Sequence, residues 1–124
     1  MRTQQAKKTS YFLAEECESR ITGAIMKHFV VEITYTAPSE AVAAVLERHR
    51  AYLQKGYEAG LLLMSGPQNP KTGGMIIARA ESLDAIESYF ANDPYQTEGV
   101  GKHRFIEFVP VKQQPFMVGW IEGK

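Results

Sequence analysis

His28-Phe29-Val30-Val31-Glu32-Ile33-Thr34-Tyr35-Thr36 sets Phe29, Val31, Ile33 and Tyr35 in alternation with His28, Glu32 and Thr34. A period of two is the mark of a strand with one face in a core. Immediately afterwards the period changes. Pro38 and Ser39 supply helix-start chemistry, and Val42, Val45, Leu46, His49 and Leu53 fall on one stripe of a helix running to about Ala59. Gly60 stands where a left-handed stop residue is needed.

The segments downstream complete the pattern. Leu61–Ser65 is a short apolar run closed by Gly66-Pro67, and residues 68–74 are rich in turn formers. Met75–Ala80 reads as the third strand. Ser82 can cap a second helix carrying Leu83, Ile86 and Phe90, which Asp93-Pro94 breaks near Asn92. Residues 95–101 read as a loop or short turn. Arg104–Val111 alternates Phe105 and Glu107 against Ile106 and Phe108, a fourth strand with Pro110 at an edge or an end. Strand, helix, strand, strand, helix, strand is the split βαβ order of an α+β, ferredoxin-like domain: a four-stranded antiparallel sheet with two helices on one face. The other face keeps apolar side chains, which two copies could bury by stacking sheet on sheet, giving a homodimer or a higher homo-oligomer.

Residues 26–112 form this domain. Residues 1–25 read as an extension outside it, mobile or weakly helical over Tyr11–Ile21, and lack the features of a secretory or mitochondrial presequence. In residues 113–124 the alternation of Phe116, Val118 and Trp120 suggests an added strand or an arm that clasps a partner.

The composition narrows the classes of function. With 124 residues there is room for one domain. The chain is 44% apolar and 23% charged, as in folded soluble domains. Fourteen basic residues balance fourteen acidic ones, so no net field draws nucleic acid. No apolar run approaches the ~20 residues that span a bilayer. Cys17, the single cysteine, can form no internal disulfide, which fits a reducing, cytoplasmic compartment.

Three segments carry a family resemblance: Arg48-His49-Arg50-Ala51-Tyr52-Leu53 with the stop Glu58-Ala59-Gly60, then Ser65-Gly66-Pro67, then Asp93-Pro94-Tyr95 followed by Gly99-Val100. In order and spacing the chain resembles the YciI-like family, small dimeric α/β-barrel proteins related in fold to muconolactone isomerase. That resemblance implies a histidine paired with an aspartate in a cleft near the sheet. His49 takes the histidine's place. Many relatives carry an aspartate shortly after Gly-Pro, where this chain has Gln68, Asn69 and Pro70, so Asp93 is the acid that remains.

Each site residue has two readings. His49 interrupts an apolar stripe, where an imidazole needs a hydrogen-bond partner; it is either a proton carrier or a satisfied core histidine. Asp93 is either the carboxylate that orients it or a turn residue bonding nearby amides. Tyr95 can offer its hydroxyl to a substrate oxygen or simply pack. Ser65 with Gly66 can present backbone amides to an anion, which with Pro67 would make a substrate-binding segment, or the three can form a plain tight turn. His28 and His103 lie far apart in sequence, and no histidines or acids have metal-ligand spacing. No phosphate-binding glycine motif is present, so no cofactor is expected. The expected activity is cofactor-independent isomerase, lyase or dehalogenase-like chemistry on an unidentified small molecule. The rival reading is a dimeric module that binds a small ligand or a protein without turning it over.

Overall fold

The structure, a computed structural model, describes residues 25–124. The helix expected over Tyr11–Ile21, Cys17 and all of the N-terminal extension but Ile25 lie outside the described residues. Residues 27–109 form one unit, and residues 110–124 belong to another.

In the first unit the elements run β1 (Lys27–Tyr35), α1 (Ser39–Glu58), β2 (Leu62–Pro67), β3 (Gly73–Ala80), α2 (Leu83–Ala91), α3 (Pro94–Thr97) and β4 (Gly101–Phe108). The sheet order is β2-β3-β1-β4, antiparallel throughout. This is the ferredoxin-like α+β arrangement expected from the sequence. Gly60 has φ +77°, the left-handed conformation that ends α1, and Ser82 caps α2 by accepting from the Ala85 amide at 3.0 Å.

Alternation assigns the faces. Phe29, Val31 and Ile33 are buried and pair with Ala78, Ile76 and Gly74 on β3 and with Glu107, Phe105 and His103 on β4. They form the core with Val42, Val45 and Leu53 of α1 and with Ile86 and Phe90 of α2. On the opposite face the register aligns Met64, Ile77, Val30 and Ile106 in one apolar row across all four strands. Beside that row Glu32 and Arg104 form an ion pair at 2.9 Å.

Several boundaries differ from the sequence reading. β2 runs on through Gly66 and Pro67, which pair with Met75 and Gly74 of β3 and do not form the plain turn expected, and β3 starts at Gly73, two residues before Met75. β4 begins at Gly101 and ends at Phe108, three residues earlier at each end than the alternation of apolar residues suggested, which brings His103 into the sheet. Residues 95–97, expected as loop or turn, belong to the short helix α3. Pro94 opens it, where a missing amide proton costs nothing, and Asp93 caps it.

In the second unit the added strand expected from Phe116, Val118 and Trp120 does not form. Pro115–Met117 is a 3₁₀ turn that runs into one helical turn, α4 (Val118–Ile121). Pro115 fixes φ near the helical value at the first position, which starts a helix more readily than it joins a ladder.

Candidate active site

α1 presents His49 on its buried stripe, because the residue shares the spacing of Val42, Val45 and Leu53. Its Nδ1 lies 2.7 Å from Asp93 Oδ1. Asp93 is wholly buried in the break between α2 and α3. The same Oδ1 accepts the Tyr95 amide at 3.1 Å. One oxygen of Asp93 therefore both caps the helix and bonds the imidazole. Tyr95 stacks on His49 with ring centroids 3.7 Å apart and planes 4° from parallel. A hydrogen bond along the ring edge and a ring against its face leave the imidazole little freedom to turn.

Asp93 Oδ2 has its own partner, His103 Nε2, at 2.9 Å. His103 Nδ1 in turn lies 3.1 Å from Gln96 Oε1. The sequence reading missed this second histidine. The signal was available: carried one step back from Phe105, the alternation of β4 puts His103 on the helix-facing side, opposite Ile33.

The Asp93 carboxyl is pulled in two directions. Burial favours its neutral form, but the hydrogen bonds of His103 and His49, the charge of His49 and the Tyr95 amide outweigh it and hold the group below the ordinary carboxylate range. Tyr95 is driven the other way. Burial, then the neighbouring Tyr35 and the Asp93 charge, push its hydroxyl up to about 12 against the opposing pull of Arg50. A hydroxyl pushed up in this way keeps its proton at neutral pH and can donate it to a bound oxygen.

A cavity of about 890 Å³ opens between α1 and the sheet. His49, Ser65, Gly66, Pro67 and Tyr95 line it, together with apolar Ile33, Val42, Leu46 and Leu53 and the charged Arg50, Lys71 and Glu40. Asp93 and His103 do not; they stand behind the His49 ring. His49 Nε2 makes no hydrogen bond among the described residues, and the ring reaches the cavity wall. Ser65 Oγ is within 2.6 Å of the Tyr57 hydroxyl, so the end of β2 is tied to α1 by side chains. Among the described residues no group of three or more His, Cys, Asp or Glu could hold a metal ion. No described helix is long and apolar enough to cross a membrane.

The family model of the YCII-related domain matches residues 26–109, the whole βαββαβ unit. The chain belongs to the YCII-related family. In this YCII-related protein the matched span contains the cavity and both histidines of the Asp93 cluster. A comparison with curated proteins finds no match. Among solved structures, the YCII-related chain is similar to a 5-chloro-2-hydroxyhydroquinone dehydrochlorinase from Burkholderia phenoliruptrix in complex with 2,5-dihydroxybenzoquinone. The identity is 22% and the TM-score 0.55, over 72% of this chain and 97% of that one. At that identity the likeness is one of fold. A cofactor-independent oxygenase from Streptomyces nogalater also matches, with a TM-score of 0.45 and 14% identity over 74% of this chain and 99% of that one.

Proposed function

We propose that this protein is a cofactor-independent enzyme acting on a small molecule, with His49 as the group that carries the proton. The observation that supports this most is the position of the imidazole: a buried carboxylate bonds one ring nitrogen, and the ring lines a cavity with its other nitrogen uncommitted. An ionised carboxylate can only accept, so the proton between the two groups resides on His49 Nδ1, and in the neutral form of the ring Nε2 is the nitrogen that holds the lone pair. Nε2 takes a proton from a substrate carbon or hydroxyl, and the resulting imidazolium is balanced by Asp93. Returning that proton to another atom of the same molecule is an isomerisation. Expelling a leaving group, such as halide, from the carbon next to the deprotonated one is an elimination. Tyr95 contributes a neutral hydroxyl near the ring, and Ser65, Gly66 and Pro67, at the end of β2, contribute backbone to the lining.

The assembly belongs to the same proposal. The apolar row Met64, Ile77, Val30 and Ile106 suits a second copy of this chain, stacked sheet on sheet as a dimeric α/β barrel. The lone cysteine suits a cytoplasmic setting.

The test is a screen of lactones, small carbonyl compounds and halogenated hydroquinones, the last suggested by the name of the fold neighbour. It is followed by His49→Gln on any compound turned over. Loss of about 100-fold or more in kcat is expected, as for other general acid–base residues. Unchanged turnover rules out the proton-carrier role, and binding without turnover by the unaltered protein favours the ligand-binding module instead.

A further inference from the structure

The Asp93 carboxylate has two ends, and only one of them serves His49. Oδ1 holds the His49 ring and the Tyr95 amide, while among the described residues Oδ2 meets only His103 Nε2. A carboxyl group turns easily about its last bond, and a buried oxygen without a donor either turns toward one or takes up a proton. Either event would weaken the acceptor that sets the His49 tautomer.

We infer that His103 is a positioning residue: by donating from Nε2 to Asp93 Oδ2 it fixes the carboxylate plane and its ionised state, and so keeps the His49 proton on Nδ1 and the lone pair on Nε2. The role in proton transfer rests on the reading proposed above, whereas the effect on the tautomer rests on geometry alone. The surroundings of His103 suit that task. Its side chain is 3% exposed, β4 fixes its backbone opposite Ile33, and Phe90 packs against the ring at a centroid distance of 5.1 Å. Gln96 Oε1 lies 3.1 Å from the other ring nitrogen, so both ends of the ring edge face a polar side chain.

Nitrogen-15 NMR of the full chain labelled at histidine tests this without a substrate. In the unaltered protein at neutral pH, His49 should carry its proton on Nδ1 and His103 should carry one on Nε2. His103→Phe keeps a ring in the aromatic pocket and removes the donor. It should lower the His49 preference for the Nδ1–H form by about tenfold or more, the weight of one hydrogen bond to a charged group. His103→Gln returns an amide nitrogen to the place of Nε2 and should restore most of that preference.

A folded His103→Phe protein with an unchanged His49 tautomer would overturn the assignment. Equal shifts in the Phe and Gln variants would overturn it too, since packing would then be the cause. So would an unaltered protein whose His103 lacks a proton on Nε2, a result that needs no variant to fold. Turnover by His49→Gln decides the enzyme reading separately, so the two can fail independently.

Discussion

His49, Asp93 and His103 form a chain of two hydrogen bonds through one buried carboxylate. Because the folded state holds the Asp93 carboxyl below its ordinary range, ionised Asp93 stabilises the fold above the unfolded value near 3.9. That contribution is lost as pH falls through the lower folded value. Denaturant titrations should therefore show stability falling on the acid side of about pH 4, with a shallower fall in Asp93→Asn. At neutral pH the Asn variant should be weaker by about 1–3 kcal/mol, because a neutral amide replaces a charged acceptor between two donors. An acid limb of unchanged steepness in Asp93→Asn would contradict the role given to this carboxyl. Of the three residues, the sequence revealed two. His49 stood out because it broke an apolar stripe, and Asp93 because no acid follows Gly-Pro. His103 stayed hidden because its alternation partners Gly101 and Phe105 flank a polar stretch that resembles loop.

At the scale of elements, α1 and α2 are held by a reciprocal clasp. The Tyr89 hydroxyl donates to the Tyr52 carbonyl at 2.9 Å, the Tyr52 hydroxyl donates to the Tyr89 carbonyl, and the rings stack at 4.8 Å. Gly56 makes room for it. A methyl group there would fall on the Tyr89 hydroxyl and within 2.9 Å of Leu62 Cδ1. Gly56→Ala should destabilise the protein, since overpacking costs about 1–3 kcal/mol and better helix propensity returns at most about 1 kcal/mol. Gly66→Ala meets open space and should leave the urea midpoint nearly unchanged. Equal midpoints for the two variants would contradict the packing described. The strands and long helices were legible because their periods of 2 and 3.6 are set by which face is buried. The ends were less so. β4 starts on Gly101 and Lys102, and residues 115–121 carry an apolar alternation that a leading proline turns into helix; in both cases backbone rules act against the side-chain pattern.

For the whole molecule, the row Met64, Ile77, Val30 and Ile106 has a direct consequence for mass. Light scattering at micromolar concentration should give about twice the 13.9 kDa of one chain. Ile106→Asp, with a charge at the end of that row, should return a single chain while leaving the helix-covered core intact. A monomeric unaltered protein would remove the support for stacked sheets. No period in the sequence reveals the cavity, because it is a gap between α1 and the sheet whose walls come from segments far apart along the chain. The role proposed for it turns on one nitrogen. The most direct measurement is a crystal structure with a bound compound that the protein turns over. A reacting oxygen or carbon of that compound within about 3.5 Å of His49 Nε2 is the expected result. A compound seated away from the ring, or a protein group capping Nε2, would contradict the central claim.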